Sequence, residues 1–404
     1  MIRRKFYLDK IKPFINKPVV KVIVGMRRVG KSTFLQLLKE QLIAENIAPD
    51  NILIINMESL EYDFIKDYRS LYRFVKEKWK GVSGQKYLFI DEIQEIQSWE
   101  KAVNSLLSES IADLYISGSN AHLFSSELAT LLSGRYVEFR IYPLTFSEFL
   151  TFRNEKISKI DKETEFNNYL KYGGLPGIHF LDFLDEVVYQ YIQSIFNTIL
   201  FKDIVRRHVI RNTALLEKLT RFLFDNCGNI FSARRIVQYL KSQGLAISTG
   251  TILNYLAHLQ ESFLISKASR YDIKGKRQLE IYEKYYLGDI GIRHGFIGYR
   301  EADISQLLEN IVYLELCKRG YKVSVGKFNG NEIDFIAEKD NQREYFQVCY
   351  LLASEATRKR EFDPLEKIND NYPKKVLSLD RFGNMDRNGI NHEYLIDFLL
   401  SDEN

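Results

Sequence analysis

The sequence predicts an α/β protein made of several domains, and three observations lead to that prediction. The chain has 404 residues, 45% of them hydrophobic and 27% charged, which is enough for two to four ordinary domains. Near its start, an apolar, β-branched run over residues 19–24 leads through a glycine-containing loop into apolar residues at helical spacing. Toward its end, residues 300–380 alternate between helical and strand patterns.

The loop after the first predicted strand matches the pattern G-x-x-x-x-G-K-[ST]. Its glycines let the backbone curl so that N–H groups point inward at a phosphate, and the following helix N-terminus adds a positive field. Lys31 is expected to reach the β- and γ-phosphates of ATP, and Ser32 to bind Mg²⁺. The residues predicted to bind the nucleotide are Gly25, Met26, Arg27, Arg28, Val29, Gly30, Lys31, Ser32 and Thr33.

A second apolar strand, residues 87–90, is followed directly by two acidic residues, Asp91 and Glu92. In an open parallel sheet, the carboxyl ends of the strands form the edge where a ligand lies. Asp91 is therefore expected to help hold Mg²⁺, and Glu92 to polarise the water that attacks the γ-phosphate. Together with the loop, this pair predicts a nucleotide-binding site of the P-loop NTPase type.

Two further residues are candidates for the catalytic step. Asn120 ends the strand-like stretch ADLYISGSN, where it either senses the γ-phosphate or is a simple turn residue. A helix is predicted next, in AHLFSSELATLLSG. Arg135 then begins another strand, and it is either a finger that neutralises transition-state charge, in cis or across a subunit boundary, or a solvated side chain. Arg27 and Arg28 are weaker candidates for the same work.

The middle of the chain is basic. Residues 202–289 contain fifteen Lys and Arg against eight Asp and Glu, a charge of +7 within a chain whose total is +4. This asymmetry indicates an anionic partner, although a solvated surface gives a weaker form of the same signal.

The same segment has the pattern of a winged helix. Ser232 suits a helix N-cap, Gly244 ends that helix, and Ser248 caps a second one before a hairpin with basic residues 274–277 at its tip. The basic tip favours contact with DNA phosphates, whereas the second helix, which contains no Lys or Arg, favours a protein-docking module. The residues expected to face inward on the second helix are Ile252, Leu253, Leu256 and Leu259.

The stretch NEIDFIAEKDNQREYFQVCY, residues 331–350, resembles the paired strands of a restriction-endonuclease site. Such nucleases need two acids to hold Mg²⁺ and a Lys to stabilise developing charge. Asp334 stands in the first acidic place, but Gln347 replaces the second acid and Cys349 replaces the Lys. A nuclease-like fold whose cleavage chemistry is lost is therefore predicted. Residues that could still contribute are Glu309 as a helical acid, and Arg358 or Lys359 as a cation.

Cysteine usage and hydropathy predict a cytoplasmic protein. The three cysteines are far apart and form no Cys-x-x-Cys pair, which fits a reducing compartment. The basic start lacks the apolar core of a signal peptide, and no run approaches the ~20 apolar residues of a membrane helix. No membrane partner is therefore expected.

Four stretches together resemble a known family: VGMRRVGKSTFLQLL, LFIDEIQ, ISGSN…LLSGRY…PLTFSEFL, and YGGLPG. They are similar to prokaryotic AAA+-superfamily ATP-binding proteins with a C-terminal half of unknown function, usually a winged-helix segment and a restriction-endonuclease-like end. The resemblance covers nearly the whole chain. It implies ATP binding and hydrolysis with Lys31, Ser32, Asp91 and Glu92 in the roles given above, and it brings no settled cellular role.

The sequence thus predicts an α/β P-loop ATPase with an AAA+-like parallel sheet, followed by a winged-helix segment and a degenerate restriction-endonuclease-like domain. The leading function is a Mg²⁺-dependent ATPase associated with nucleic acid. The alternatives are a nucleotide-gated protein-interaction switch that never touches DNA, acting on a second copy or another protein, and an ATP-gated nuclease. The predicted domains are 1–155 (ATPase), 156–200 (hinge and helical linker), 201–290 (winged-helix-like) and 291–404 (nuclease-like).

Overall fold

Two β-sheets organise the chain in the computed structural model, one in each of two compact units. The first unit is Met1–Ile141 with Glu261–Phe263, and the second is Tyr142–Gln260 with Leu264–Asn404. The described residues are 2–121, 132, 134–157, 159–245, 247–381 and 386–401. Most of the helix predicted for AHLFSSELATLLSG lies outside them.

The first unit contains a five-stranded parallel sheet in the order β2-β3-β4-β1-β5. Its three central strands are buried along their whole length, as their apolar sequences predict for a parallel sheet. Because all five strands are parallel, their carboxyl ends meet at one edge. The strands are β1 Val20–Val24, β2 Ile52–Asn56, β3 Tyr87–Asp91, β4 Asp113–Gly118 and β5 Tyr136–Arg140.

Helices of the first unit begin where local sequence supplies a cap or a glycine. The Asp67 side chain caps one helix by accepting from the backbone N–H groups of Arg69 and Ser70, and the Asp67 N–H donates to Oγ of Ser70. The helix after β1 instead follows Gly30, whose backbone is left-handed. The described α-helices of this unit are α1 Lys5–Ile11, α2 Lys31–Ala44, α3 Tyr68–Lys78 and α4 Trp99–Ser108, with 3₁₀ turns at Lys12–Phe14, Pro49–Asn51, Leu60–Tyr62 and Ile93–Glu95.

A buried ion pair lies at the amino edge of this sheet. Lys21 of β1, which is fully buried, pairs with Asp113 at the start of β4. The Asp113 carboxylate also accepts hydrogen bonds from the Asn16 N–H at 2.9 Å and the Tyr115 hydroxyl at 2.8 Å. Burial lowers the pKa of Lys21, while the charge of Asp113 opposes that shift.

The second unit contains a mixed eight-stranded sheet in the order β13-β12-β11-β10-β9-β7-β8-β6. β7 pairs in parallel with β9, so strands of the predicted winged-helix and nuclease-like segments belong to one sheet. The strands are β6 Ile230–Phe231, β7 Ile265–Asp272, β8 Arg277–Leu287, β9 Lys322–Phe328, β10 Asn331–Lys339, β11 Gln342–Val348, β12 Lys374–Ser378 and β13 Asn391–Tyr394.

The two helices and the hairpin predicted from residue 232 onward are present. Ser232 accepts a hydrogen bond from the Arg235 N–H, Gly244 has a φ of +80°, and Ser248 accepts from the Thr251 N–H. Leu253 is 50% exposed, so its predicted inward orientation was wrong. The described helices of this unit are α5 Phe146–Asn154, α6 Lys162–Tyr172, α7 Asp185–Thr198, a π-helix Ile199–Arg206, α8 Thr213–Asp225, α9 Ala233–Ser242, α10 Thr249–Glu261, α11 Ile290–Ile297, α12 Ile304–Lys318, α13 Glu355–Glu366 and α14 Leu395–Leu400, with 3₁₀ turns at Pro176–Phe180 and Glu301–Asp303.

The stretch YGGLPG is explained by one buried carboxylate. Asp289 caps α11 through the Ile292 N–H and accepts a second hydrogen bond from the Gly174 N–H at 2.7 Å. A Cβ at Gly173, whose φ is +75°, would lie 2.5 Å from the same carboxylate. Burial raises the pKa of Asp289 to about 6, against the lowering effect of these backbone hydrogen bonds. Gly173 therefore lets the chain pass close to Asp289, whereas a Cβ at Gly174 would lie 2.3 Å from the carbonyl oxygen of Leu144.

In the part of the chain that the structure describes, no helix has both the length and the apolar character needed to cross a membrane.

Candidate nucleotide-binding site

The loop after β1 has the backbone geometry that its glycines predict. Gly25 has a φ of +149°, and a Cβ there would lie 2.3 Å from the carbonyl oxygen of Ile141. Gly30 precedes α2 with a φ of +97°, and no side chain caps that helix. The first N–H groups of α2 are thus available to an anion, and the helix field favours negative charge there.

Lys31 is buried, with 4% of its surface exposed, and its ammonium group lies against its own loop. Nζ donates to the carbonyl oxygens of Gly25 at 3.0 Å and Met26 at 3.2 Å, and it lies 3.8 Å from Oε1 of Glu92. The only full negative charge in this set is that of Glu92. The ammonium group is therefore positioned to exchange carbonyl oxygens for phosphate oxygens.

Asp91 and Ser32, the two residues predicted to hold Mg²⁺, are hydrogen-bonded to each other through their side chains. Asp91 ends β3, and its Oδ1 accepts a hydrogen bond from the hydroxyl of Ser117 on β4. Burial raises the pKa of Asp91, and hydrogen bonds from Ser117 and Ser32 oppose that rise. A carboxylate and a serine hydroxyl are oxygen ligands of the kind that Mg²⁺ prefers, so this donor set fits the ion.

Glu92 has an unusual backbone and two close partners. Its φ of +55° and ψ of +50° are left-handed, which is rare for a residue with a side chain and is often found at functional sites. Its N–H donates to Oγ of Ser117 at 3.2 Å, and Oε2 accepts from Nε2 of Gln94. The carboxylate is thus held between Gln94 and Lys31. Sequence reasoning missed Gln94, although it is only two residues from Glu92.

Asn120 lies just beyond β4 at the same edge of the sheet. β4 is the neighbour of β1, and its Gly118 is paired with Val24, the residue before the loop. Asn120 is 6% exposed and Ser119 only 1% exposed. A buried polar side chain beside the loop is consistent with the predicted sensor position.

The two arginines inside the loop differ. Arg27 is buried at 8% exposure and forms an ion pair with Glu58, 3.1 Å from NH1 to Oε1. Arg28 is exposed and has a left-handed φ of +69°. The Arg27 side chain is therefore already paired within the protein, whereas the Arg28 side chain is exposed to solvent.

Arg135 lies at the edge of the sheet opposite the loop. Its carbonyl oxygen accepts from the N–H of Val20, the first residue of β1, and its guanidinium donates to Oδ1 of Asn104 at 2.5 Å. The length of β1 therefore separates Arg135 from the loop of its own chain, and the predicted finger role stays a proposal for contact across a subunit boundary. Arg140, at the other end of β5, is paired with Val24, and it is therefore the arginine of this strand that lies beside the glycine loop.

The second unit contains an acidic cleft of about 340 Å³ at the predicted nuclease-like position. Oδ2 of Asp334 accepts from the Val348 N–H at 2.8 Å, and the Asp334 N–H donates to Oε1 of Gln347 at 2.7 Å. Nε2 of Gln347 donates to Oε2 of Glu361 at 3.2 Å. Sequence reasoning missed Glu361. Its carboxylate lies next to the amide of Gln347, which stands where a nuclease site would have its second acid.

The predicted cations of this cleft lie elsewhere. Lys359 is exposed, and Nε of Arg358 donates to the carbonyl oxygen of Leu352. Cys349 packs in an apolar core, where burial raises the pKa of its thiol. The buried cation at the cleft is Lys284 of β8, which lies 2.6 Å from Oε1 of Glu309.

Comparison with known proteins shows which families and structures this chain resembles. Residues 17–150 match the AAA domain, and residues 163–303 match a domain of unknown function. An uncharacterized protein of Haemophilus influenzae is 39% identical over 401 residues, covering 99% of each chain. An uncharacterized protein of Methanocaldococcus jannaschii is 32% identical over 377 residues, covering 89% of this chain and 80% of that protein. In fold, the chain resembles a Walker-type ATPase of Pyrococcus abyssi, with a TM-score of 0.53 at 14% identity over 73% of this chain and 95% of the other.

Proposed function

Because this chain carries an AAA domain and belongs to the same family as the relatives from Haemophilus influenzae and Methanocaldococcus jannaschii, we propose that it is a Mg²⁺-dependent ATPase associated with nucleic acid. One observation supports the ATPase most directly. A buried lysine, a buried Asp–Glu pair and an uncapped helix N-terminus meet at the carboxyl edge of one parallel sheet.

Each residue of this edge has a role in the proposal. Lys31 binds the β- and γ-phosphates, Ser32 and Asp91 hold Mg²⁺, and Asn120 contacts the γ-phosphate. When bound, Mg²⁺ neutralises charge between the β- and γ-phosphates. Glu92 accepts a proton from the attacking water, which requires that its carboxylate leave Lys31 when the phosphates arrive. Gln94 then remains to orient Glu92.

The test separates nucleotide binding from turnover. Glu92→Gln keeps the shape of the side chain but cannot accept a proton, so turnover should fall by about 10²-fold or more while ATP still binds. Lys31→Ala should abolish tight ATP binding, because the phosphates lose their buried counter-charge. Glu95→Gln is the matched control, since Glu95 is exposed on the same turn and its loss should change neither quantity.

Unaltered turnover in Glu92→Gln would remove Glu92 from its role. Unaltered ATP affinity in Lys31→Ala would show that the loop does not bind phosphate in the proposed way.

The association with nucleic acid is supported by the basic second unit. Lys274 and Lys276 are exposed in the turn between β7 and β8, within the segment that carries a charge of +7. Double-stranded DNA bound through such contacts should show a steep fall of log affinity with log salt. Changing both lysines to Ala should reduce that slope by about 1 for each lost phosphate contact, whereas exposed Lys78 of the first unit serves as the control.

The alternative is a nucleotide-gated switch that binds a protein, either a second copy or another chain. It is favoured by α10, which contains no Lys or Arg among residues 249–261. An absence of DNA binding even at low salt would select this alternative. Stimulation of ATP turnover by DNA would argue against it.

The second unit is proposed to keep a nuclease-like arrangement without cleavage activity. The protein should therefore not cut DNA above background with Mg²⁺ or Mn²⁺, with or without ATP. Cleavage that disappears in Asp334→Ala would instead establish the ATP-gated nuclease. The four predicted domains and the cytoplasmic location belong to the same proposal.

A further inference from the structure

The acidic cleft of the second unit has a buried lysine among its carboxylates. Nζ of Lys284 lies 2.6 Å from Oε1 of Glu309 and 2.8 Å from Oε1 of Glu332. Only 2% of the Lys284 side chain is exposed. These distances correspond to two charge-assisted hydrogen bonds, so the ammonium group is held on both sides.

The charge on Lys284 is maintained by its surroundings. Burial alone would lower the pKa of Lys284, but the carboxylates of Glu309, Asp334 and Glu332 outweigh it and raise that pKa above its usual value. The Tyr286 hydroxyl donates to the same Oε1 of Glu309 at 2.5 Å. The ammonium group therefore stays positively charged beside Glu309 and Glu332, two of the carboxylates that line the cleft.

Lys284 is not placed like a catalytic lysine that stabilises negative charge developing on a substrate. It is almost fully buried, and both of its direct partners are carboxylates of the chain itself. A divalent cation would need the same carboxylate oxygens, because hard cations are bound by converging oxygen ligands. In the described part of the chain, the cleft carboxylates do not bring three ligand oxygens within 4.8 Å of one another.

We propose that the ammonium group of Lys284 occupies the cation position of the acidic cleft, so that the wild-type cleft takes no divalent metal ion. Removal of the ammonium group would leave Glu309 and Glu332 without the cation that pairs with both, and would let their oxygens close, together with Asp334, on a hard divalent cation. This inference rests on the proposed nuclease-like arrangement of the second unit, whose proposed lack of cleavage it would explain, and it does not depend on the ATPase site.

The experiment counts Mn²⁺ ions bound to the full chain without nucleotide, by equilibrium dialysis or by the loss of the free-ion paramagnetic signal. Wild type and Lys284→Met are compared, so that any ion bound elsewhere, including near Asp91, cancels. Lys284→Met should bind one more Mn²⁺ per chain than wild type. Adding Asp334→Asn to that variant should abolish the gain, and Lys284→Arg, which keeps a cation, should show none.

A second readout is the unfolding midpoint. Mn²⁺ should raise the midpoint of Lys284→Met by more than that of wild type, because an ion that binds only the folded chain stabilises it, and the Mn²⁺-induced shift should be the same in wild type and Asp334→Asn. If Lys284→Met does not fold, Lys284→Gln replaces it, since Gln keeps a hydrogen-bond donor without the charge.

Two results would overturn the proposal. One is a Mn²⁺ ion bound by wild type and lost in Asp334→Asn, which would show that the ammonium group does not fill the cation position. This comparison involves no change at Lys284 and decides the matter even if every Lys284 variant misfolds. The other is a folded Lys284→Met that gains no ion. Neither result depends on ATP turnover, so failure of the ATPase proposal remains distinguishable.

Discussion

Asp113→Ala should strongly destabilise the first unit, because it leaves the buried ammonium group of Lys21 without its counter-charge. Lys21 is fully buried and the Asp113 side chain is 2% exposed. Breaking a buried pair by removing one partner costs about 3–5 kcal/mol in comparable proteins. The N–H of Asn16 and the hydroxyl of Tyr115 lose an acceptor in the same variant, which adds to the loss.

The part of this cost that comes from the unpaired charge has a ceiling, because Lys21 can lose its proton. From the ordinary lysine pKa of 10.5, deprotonation at pH 7 costs at most about 4.8 kcal/mol, at 1.36 kcal/mol per pH unit. In the variant, the folded state holds fewer protons than the unfolded state below pH 10.5, so stability rises with pH. The loss relative to wild type should therefore shrink by up to about 2.7 kcal/mol between pH 7 and pH 9.

Tryptophan fluorescence is a suitable assay, because both tryptophans of the chain, Trp79 and Trp99, are buried in the first unit. Urea unfolding at pH 7 and pH 9 would report that unit without interference from the second. The control is Asp63→Ala, which breaks the exposed ion pair with Lys66 and should change the midpoint little. A loss for Asp113→Ala that is as small as the control, or the same at both pH values, would refute the reasoning.

Two further predictions concern the glycine loop and the buried carboxylate of the second unit. Gly25→Ala should abolish tight ATP binding, because its Cβ would lie 2.3 Å from the carbonyl oxygen of Ile141; Gly81→Ala, with open space around it, should bind normally in the same fluorescent-nucleotide titration. Asp289 has a folded pKa of about 6, above the ordinary 3.8, so its contribution to stability is complete below pH 3.8 and is lost as pH rises through 6. Asp289→Asn should lack this loss of about 3 kcal/mol, as measured by urea unfolding at 222 nm from pH 4 to pH 7, and equal pH slopes for both proteins would contradict it.

The parts of the candidate nucleotide-binding site that could be placed from the sequence are those that are close along the chain. The loop from Gly25 to Lys31 joins a strand directly to a helix, so the local pattern alone determines its geometry. Asp91 and Glu92 end an apolar strand, and parallel pairing brings that end to the loop. The α/β class and the parallel sheet were confirmed for the same reason, since both follow from the alternation of buried strands and helices.

The parts that were missed depend on register and on pairing between distant segments. Arg135 and Arg140 lie on one strand, and only the pairing of β5 with β1 shows which of them ends at the loop. Lys284 is 48 residues from Glu332, and no local pattern predicts that they meet. Leu253 shows a smaller error of the same kind, because a helix with apolar residues at adjacent positions does not reveal which of them faces solvent.

The close approach of Gly25 to the carbonyl oxygen of Ile141 joins the glycine loop to the segment that follows β5. The Ile141 N–H donates to the Val24 carbonyl oxygen at 2.7 Å, so Ile141 is attached to the residue before the loop as well. It is also the last residue of its segment in the first unit, and the next peptide bond leads to Tyr142, where the second unit begins. The Ile141 backbone is therefore held next to both Val24 and Gly25, and a change that moves it would displace the two residues at the entrance of the loop together.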